Sequence, residues 1–208
     1  MKHLFVAVAG NIGVGKSTLT AMLAQHFGWT PFYEANAENP YLSDFYNDMP
    51  RWSFHSQVFF LGKRLEHHYQ LLQHQGNVVQ DRTVYEDAEI FARNLHQQGI
   101  MSARDYESYR RLYQAVAAFL PAPNLIVYLQ ADVKKLQTHI NKRGRDFERN
   151  IDPAYLSQLN HLYEAWIADW TACPVLRLCT DEMDFQHCEQ DFMTIVTKIG
   201  DTLATIQS

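Results

Sequence analysis

Gly10-Asn11-Ile12-Gly13-Val14-Gly15-Lys16-Ser17-Thr18 gathers three glycines, a lysine and two hydroxyls into nine residues. Glycine, four residues, then Gly-Lys-Ser is the spacing of a loop that curls around a polyphosphate. The glycines let several backbone N–H groups converge, and a helix starting there adds partial positive charge at the same point. In such a loop Lys16 reaches the outer phosphates and Ser17 offers its hydroxyl to Mg²⁺. The flanks agree. Leu4-Phe5-Val6-Ala7-Val8-Ala9 reads as a buried strand, and Leu19-Thr20-Ala21-Met22-Leu23-Ala24 reads as a helix. Phosphate binding follows, and the question becomes what accepts the phosphate.

Three more stretches bear on that question. Glu34 closes a short strand, Phe32-Tyr33-Glu34, where a carboxylate can accept the proton of an acceptor hydroxyl and orient its oxygen. Phosphoryl transfer is often loose, so this positioning counts for more than basicity. Asp81-Arg82-Thr83 follows the apolar strand Val78-Val79-Gln80. Asp81 is placed either to hold Mg²⁺ through water or to serve as the base instead of Glu34. Arg82 is placed to hold the acceptor oxygen and its developing charge. Arg143-Gly144-Arg145 sets two forked cations around a flexible glycine, a pattern suited to a lid over phosphate oxygens.

These groups need elements to carry them. Asn39-Pro40 opens a short helix with Tyr41, Leu42, Phe45 and Tyr46, which ends at Pro50. A long helix covers about 51–74, with Phe54, Val58, Leu61, Leu65, Tyr69 and Leu72 at helical spacing. His67, His68 and His74 then fall on a solvated face, and the aromatics Phe54, Phe59, Phe60 and Tyr69 form core or a pocket wall. Further helices are expected over 88–96, from Ser102 (paired with Asp105 as a cap) to Leu120, from Val133 to about Arg143, from Asp152-Pro153 to Trp170, and over 185–206. Leu125–Leu129 and Val175–Leu178 complete five strands. Strands alternating with helices predict an α/β fold, a parallel sheet covered on both faces. Ligands bind outside the C-terminal ends of such strands, so Gly10, Glu34 and Asp81 should share one cleft.

The 208 residues suit a single domain, and a formal net charge of −5 argues against a sequence-independent nucleic-acid binder. No apolar run reaches membrane-spanning length. The N-terminal apolar run leads straight into the glycine loop, so cleavage as a signal peptide would remove half the site. The three cysteines, Cys173, Cys179 and Cys188, fit reduced thiols in a cytoplasmic protein.

Taken together, the glycine loop, Arg51-Trp52-Ser53-Phe54 with Gln57, Asp81-Arg82-Thr83-Val84-Tyr85 with Asp87 and Phe91, and Arg143-Gly144-Arg145 with Glu148 resemble the deoxynucleoside kinase family over nearly the whole chain. The resemblance implies a P-loop kinase fold with an arginine-bearing lid, and ATP and Mg²⁺ as donor and metal. It also implies a homodimer through the long helices, with transfer to the 5′-hydroxyl of a deoxynucleoside for nucleotide salvage. By the same resemblance Glu34 contacts the 5′-hydroxyl and Asp81 is the acid of the family's Asp/Glu-Arg-Ser/Thr motif. Arg82 holds the 5′ oxygen, and Tyr46 and Glu148 bond the 3′-hydroxyl. Gln57, Arg64 and Asp87 read the base while Phe91 packs on it. Arg143 and Arg145 close on the phosphates, and the Asp184-Phe185 loop touches the adenine of ATP. Short members of the family imply deoxyadenosine or deoxyguanosine first, with deoxycytidine next.

The residue chemistry is compatible. A glutamine amide pairs with an amine beside a ring nitrogen, and Asp87 accepts only, which together disfavour thymidine. His139 departs from the family, standing where many relatives carry another arginine. Three alternatives are weaker. A nucleoside monophosphate kinase, thymidylate-like, needs a cationic clamp, and Phe32, Tyr33, Ala35 and Asn36 around Glu34 supply none. A structural subunit with the same fold has no need to keep Lys16, Glu34 and Arg82. A regulatory GTPase would carry Asn-Lys-x-Asp, which is absent.

Overall fold

The computed structural model describes residues 3–33, 38–145, 148 and 151–207. Five strands, β1 (Phe5–Gly10), β2 (Thr30–Phe32), β3 (Val78–Asp81), β4 (Leu125–Gln130) and β5 (Val175–Cys179), form one sheet in the order β2-β3-β1-β4-β5. Every neighbouring pair is parallel. β1 is apolar and buried along its whole length, as a central parallel strand with helices on both faces must be. Alternate residues face opposite ways. Val6 and Val8 join Leu19, Leu23, Leu136 and Ile199 on one face, while Phe5, Ala7 and Ala9 join Ile90, Leu159, Tyr163 and Trp166 on the other.

The helices are α1 (Lys16–Phe27), α2 (Leu42–Asn47), α3 (Met49–Gln73), α4 (Val84–Glu86), α5 (Arg93–Gln97), α6 (Ala103–Ala117), α7 (Val133–Arg143), α8 (Pro153–Asp169) and α9 (Glu189–Gln207). Between α4 and α5 lies a π-helical segment, Asp87–Ala92. Local chemistry sets several boundaries. Ser102, Asp132 and Asp152 cap α6, α7 and α8 by accepting from backbone N–H groups. Pro153 and Pro50 sit in the first turns of α8 and α3, where no helical donor is lost. A third apolar cluster, including Leu42, Phe45, Leu61, Leu95, Met101 and Tyr109, joins α2, α3, α5 and α6 beside the sheet. No helix among the described residues is long and apolar enough to cross a membrane.

Some expectations shift. β2 begins at Thr30 and ends at Phe32, before Glu34, because Thr30 to Phe32 pair with Val78 to Gln80. α9 begins at Glu189, leaving Asp184-Phe185 in the loop before it. The larger correction concerns α3. Its buried residues are Ser53, Ser56, Gln57, Leu61, Arg64, His68 and Leu71, a largely polar face, whereas Tyr69 and Leu72 are exposed. The apolar stripe is split: Phe54, Val58 and Leu61 pack in the third cluster, Leu65 is half-buried, and Tyr69 and Leu72 face outward, because the buried side of α3 also lines a polar cleft. The histidines are corrected with it. His68 is buried edge-on to Phe5, with ring centroids 5.9 Å apart, and His67 is partly buried.

Burial lowers the basicity of His68, and burial followed by the Arg64 charge does so for His67. A depressed imidazole pKa means that the unfolded chain binds protons first as pH falls. The stability contributed by the neutral rings is present above about pH 6.5 and declines below it. We expect the melting temperature to drop between pH 7.5 and 5.5, by about 2–4 °C per kcal/mol lost. His68→Leu should flatten that drop, as read by thermal denaturation at both pH values; an unchanged slope would exclude His68 as its source.

Candidate active site

The glycine loop leaves the end of β1 between β3 and β4, where the chain order of the sheet reverses, the expected position for a ligand crevice. Its residues 12–18 line a cavity of about 740 Å³. Gly13 has φ +81°, and a side chain there would stand 2.8 Å from the Leu136 carbonyl of α7. Gly15 has φ +104°, and a side chain there would stand 2.9 Å from the Phe185 ring. The loop is thus pressed between the lid helix and the 180–187 loop, with room for backbone only. Gly10 and Asn11 hold it from behind. The Gly10 N–H donates to Glu86 Oε1 at 3.2 Å. The Asn11 amide donates to the Leu156 carbonyl (2.9 Å) and to Asn160 Oδ1 (2.7 Å) on α8. Lys16 is buried and donates to the Asn11 carbonyl at 2.9 Å.

Asp81 ends β3 directly beside Val8 of β1. Its Oδ2 accepts from the Ser17 hydroxyl at 2.5 Å, while its buried Oδ1 has no hydrogen-bond partner. A leftover carboxylate acceptor beside the loop serine fits a cation that keeps its water shell, as Mg²⁺ does. Arg82 is the one non-glycine residue with positive φ (65°) among the described residues. Backbone in that region is strained and occurs where surrounding contacts over-determine it. Here the guanidinium lies over the Phe91 ring, 4.3 Å from its centroid, and Nε lies 3.9 Å from Glu86 Oε1.

At the far end the cavity is lined by Leu42, Phe45, Tyr46, Gln57, Phe60, Asp87 and Phe91. Gln57 is buried, and its Oε1 has no hydrogen-bond partner. Arg64, behind this wall, donates from Nε to Asp87 Oδ2 and from Nη1 to the Asp81 carbonyl, both at 3.0 Å. That buried pair fixes which way Asp87 points. Tyr155, also on the wall, is pushed up to about 12 by burial and stays a neutral phenol.

Arg143, Arg145 and Glu148 meet over the cavity. Arg143 pairs with Glu148 Oε2, and Arg145 lies 3.3 Å from Glu148 Oε1. Both lid arginines therefore face Glu148. His139 donates from Nδ1 to the Gly13 carbonyl at 2.8 Å, so it steadies the loop from the lid helix.

Of the expected site residues, Gly13 to Thr18, Tyr46, Gln57, Arg82, Asp87, Phe91, Arg143, Arg145, Glu148, Asp184 and Phe185 line one cavity, together with Ile12. Asp81, Arg64, Gly10 and Asn11 stand behind it, and Glu34 lies outside the described residues. Two participants were not anticipated. Glu86 is fully buried, and the spacing Thr83-x-x-Glu86 is the capping-box signature that marks it in the sequence. Lys135 donates to the Thr180, Asp181 (3.0 Å) and Met183 (2.8 Å) carbonyls and so holds the 180–184 loop; a lone lysine on a helix carries no such signal.

Comparison with known proteins decides the family, since the deoxynucleoside kinase model matches residues 6–204. The chain belongs to the deoxynucleoside kinase family. The kinase is 38% identical over 204 residues to a Bacillus subtilis deoxyadenosine/deoxycytidine kinase, covering 97% of this chain and 94% of that one. It is 34% identical over 205 residues to a B. subtilis deoxyguanosine kinase, covering 96% and 97%. Among solved structures, M. mycoides deoxyadenosine kinase with dCMP and dCDP superposes with a TM-score of 0.85 at 28% identity, covering 95% of this chain and 100% of that one. The dATP complex of that protein gives 0.83 with the same identity and coverage. The enzyme therefore phosphorylates deoxynucleosides on a P-loop kinase fold.

Proposed function

We propose that the enzyme transfers the γ-phosphate of ATP to the 5′-hydroxyl of a purine deoxynucleoside, with deoxycytidine a weaker acceptor. The carrying observation is the two-ended cavity, with the glycine loop at one end and Gln57 with Asp87 at the other. Asp87 is paired with Arg64 and oriented on the cavity wall, and a carboxylate there only accepts, which suits a base bearing an amine or a protonated ring nitrogen. The relatives named for deoxyadenosine, deoxycytidine and deoxyguanosine support the same range.

On this reading Lys16 and the loop N–H groups grip the donor phosphates. Glu34 receives the proton of the 5′-hydroxyl, and Arg82 neutralises the charge that develops on the acceptor oxygen. Tyr46 and Glu148 orient the sugar through its 3′-hydroxyl. The 180–187 loop, steadied by Lys135, faces the donor base. Ser17 and, through water, Asp81 would hold Mg²⁺, whose charge offsets that of the phosphate oxygens when it is bound. Arg143 and Arg145 move from Glu148 to the donor phosphates as the lid closes. The exposed Tyr69 and Leu72 of α3, and Leu112 of α6 with Phe119 just beyond it, support a homodimer through the long helices.

The test is phosphorylation with ATP and Mg²⁺ across deoxyadenosine, deoxyguanosine, deoxycytidine, thymidine and their 5′-monophosphates. Purine deoxynucleosides should rank first and thymidine last; turnover of monophosphates alone would overturn the reading. Glu34→Gln should lower kcat by about 10²–10⁴-fold, the usual worth of a positioned base, with donor affinity retained; unchanged kcat would remove Glu34 from proton transfer. Light scattering should return twice the chain mass, and Phe119→Lys with Tyr69→Lys should shift it to one; a monomer in the unsubstituted protein would refute the dimer.

A further inference from the structure

Glu86 touches neither end of the cavity, yet it is completely buried where β1, α4 and α8 meet. Its Oε1 accepts from the Gly10 N–H at 3.2 Å and from the Tyr163 hydroxyl at 2.8 Å. Its Oε2 accepts from the Thr83 N–H at 2.8 Å and the Thr83 hydroxyl at 3.3 Å. Taking a carboxylate fully out of water costs several kcal/mol unless donors and cations compensate it. Burial raises the Glu86 carboxyl above the ordinary carboxylate range, and the charges of Arg82 and Lys16 pull against that rise.

Helix capping does not account for this arrangement. Ser102, Asp132 and Asp152 cap their helices from exposed positions with a single acceptor each. The Thr83–Glu86 cap needs only one oxygen, whereas the other one reaches across to the mouth of the phosphate loop and to α8. Arg82 supplies the reason. Its backbone is held left-handed, and its guanidinium lies with the Phe91 ring on one side and Glu86 Oε1 3.9 Å from Nε. Glu86 thus hydrogen-bonds the first residue of the donor loop and forms a longer ion pair, at 3.9 Å, with the arginine assigned to the acceptor oxygen.

We infer that Glu86 is a positioning residue for phosphoryl transfer: its buried carboxylate fixes Arg82 against the phosphate loop, so that the acceptor oxygen and the donor phosphates are aligned through one group. The inference rests on the role proposed above for Arg82. Glu86→Gln keeps the shape but removes the charge. It also turns an amide N–H toward the Thr83 or the Gly10 N–H, donor against donor.

The test is a double-mutant cycle on kcat with ATP and the preferred deoxynucleoside, using Glu86→Gln, Arg82→Ala and both together. Each single change should lower kcat at least about tenfold with little change in acceptor KM. The double variant should be no more than about threefold slower than Arg82→Ala, because Glu86 acts through that arginine. Unchanged kcat in Glu86→Gln, or losses that multiply in the double variant, would overturn the inference while leaving the Arg82 reading intact. Full kcat in Arg82→Ala would overturn that reading and the inference with it. If Glu86→Gln fails to fold, Tyr163→Phe withdraws one hydrogen bond from the same oxygen and keeps the charge. It should slow turnover about threefold or more, and the loss should disappear in the Arg82→Ala background. Undiminished kcat in Tyr163→Phe, or a loss that persists without Arg82, would reduce Glu86 to a structural carboxylate and overturn the inference.

Discussion

The parallel register of β1 and β3 is the constraint on which the cleft depends. Val8 lies beside Asp81, and the Arg82 N–H continues the ladder by donating to the Val8 carbonyl at 3.0 Å. Both strands leave the sheet at the same edge, so the phosphate loop and the acidic motif emerge together and Ser17 can meet Asp81. A slip of one residue would turn every side chain of β3 to the opposite face. The hydrophobic alternation that fills both faces of the sheet therefore also fixes the distance between two reactive groups. Stability and chemistry share this single alignment.

Around that edge the chain buries polar groups against one another rather than against water. α3 gives its inner side to serine, glutamine, arginine and histidine, and Arg64 spans from Asp87 to the Asp81 carbonyl. Breaking a buried ion pair on one side costs about 3–5 kcal/mol, so these orientations resist relaxation. The cavity is backed by paired groups: Asp87 by Arg64, Gly10 by Glu86, Asn11 by Asn160, the 180–184 loop by Lys135. The lid arginines are more exposed, each paired with Glu148.

Much of this was legible in the sequence where a local rule operates. The glycine loop and four of the strands are local, specified by spacing and apolar runs, whereas β2 lies two residues earlier than the sequence suggests, at Thr30-Pro31-Phe32. The caps at Ser102 and Asp152 follow from side chains that reach only two or three residues ahead. α3 was only partly legible. Its apolar residues Phe54, Val58 and Leu61 do pack in the core, but the serines, glutamine, arginine and histidine on its buried side border a cleft, which apolar periodicity does not register. Glu86 was half legible, since Thr83-x-x-Glu86 announces a cap. Its bonds to Gly10 and Tyr163 span sequence separations of 76 and 77 residues, which no local pattern encodes. Lys135 was illegible for the same reason. Of the site residues that resemblance brought together, most of the described ones line one cavity, with Arg64, Asp81, Gly10 and Asn11 behind its wall and Glu34 outside the described residues.

The π-helical turn at Asp87–Ala92 makes chain length itself a specification. Within it Asp87 meets Arg64 and Phe91 lies under Arg82, both on the cavity side. The extra residue of the wide turn is absorbed inside the segment, so the helix after it keeps its facing, with Asn94 and the fully buried Leu95 in the interior. Losing that residue would restore an ordinary α-helix and re-aim only the side chains of the segment itself. The length of the segment therefore bears on the cavity and not on the packing beyond it, which makes a one-residue deletion here a change of ligand fit with the fold preserved.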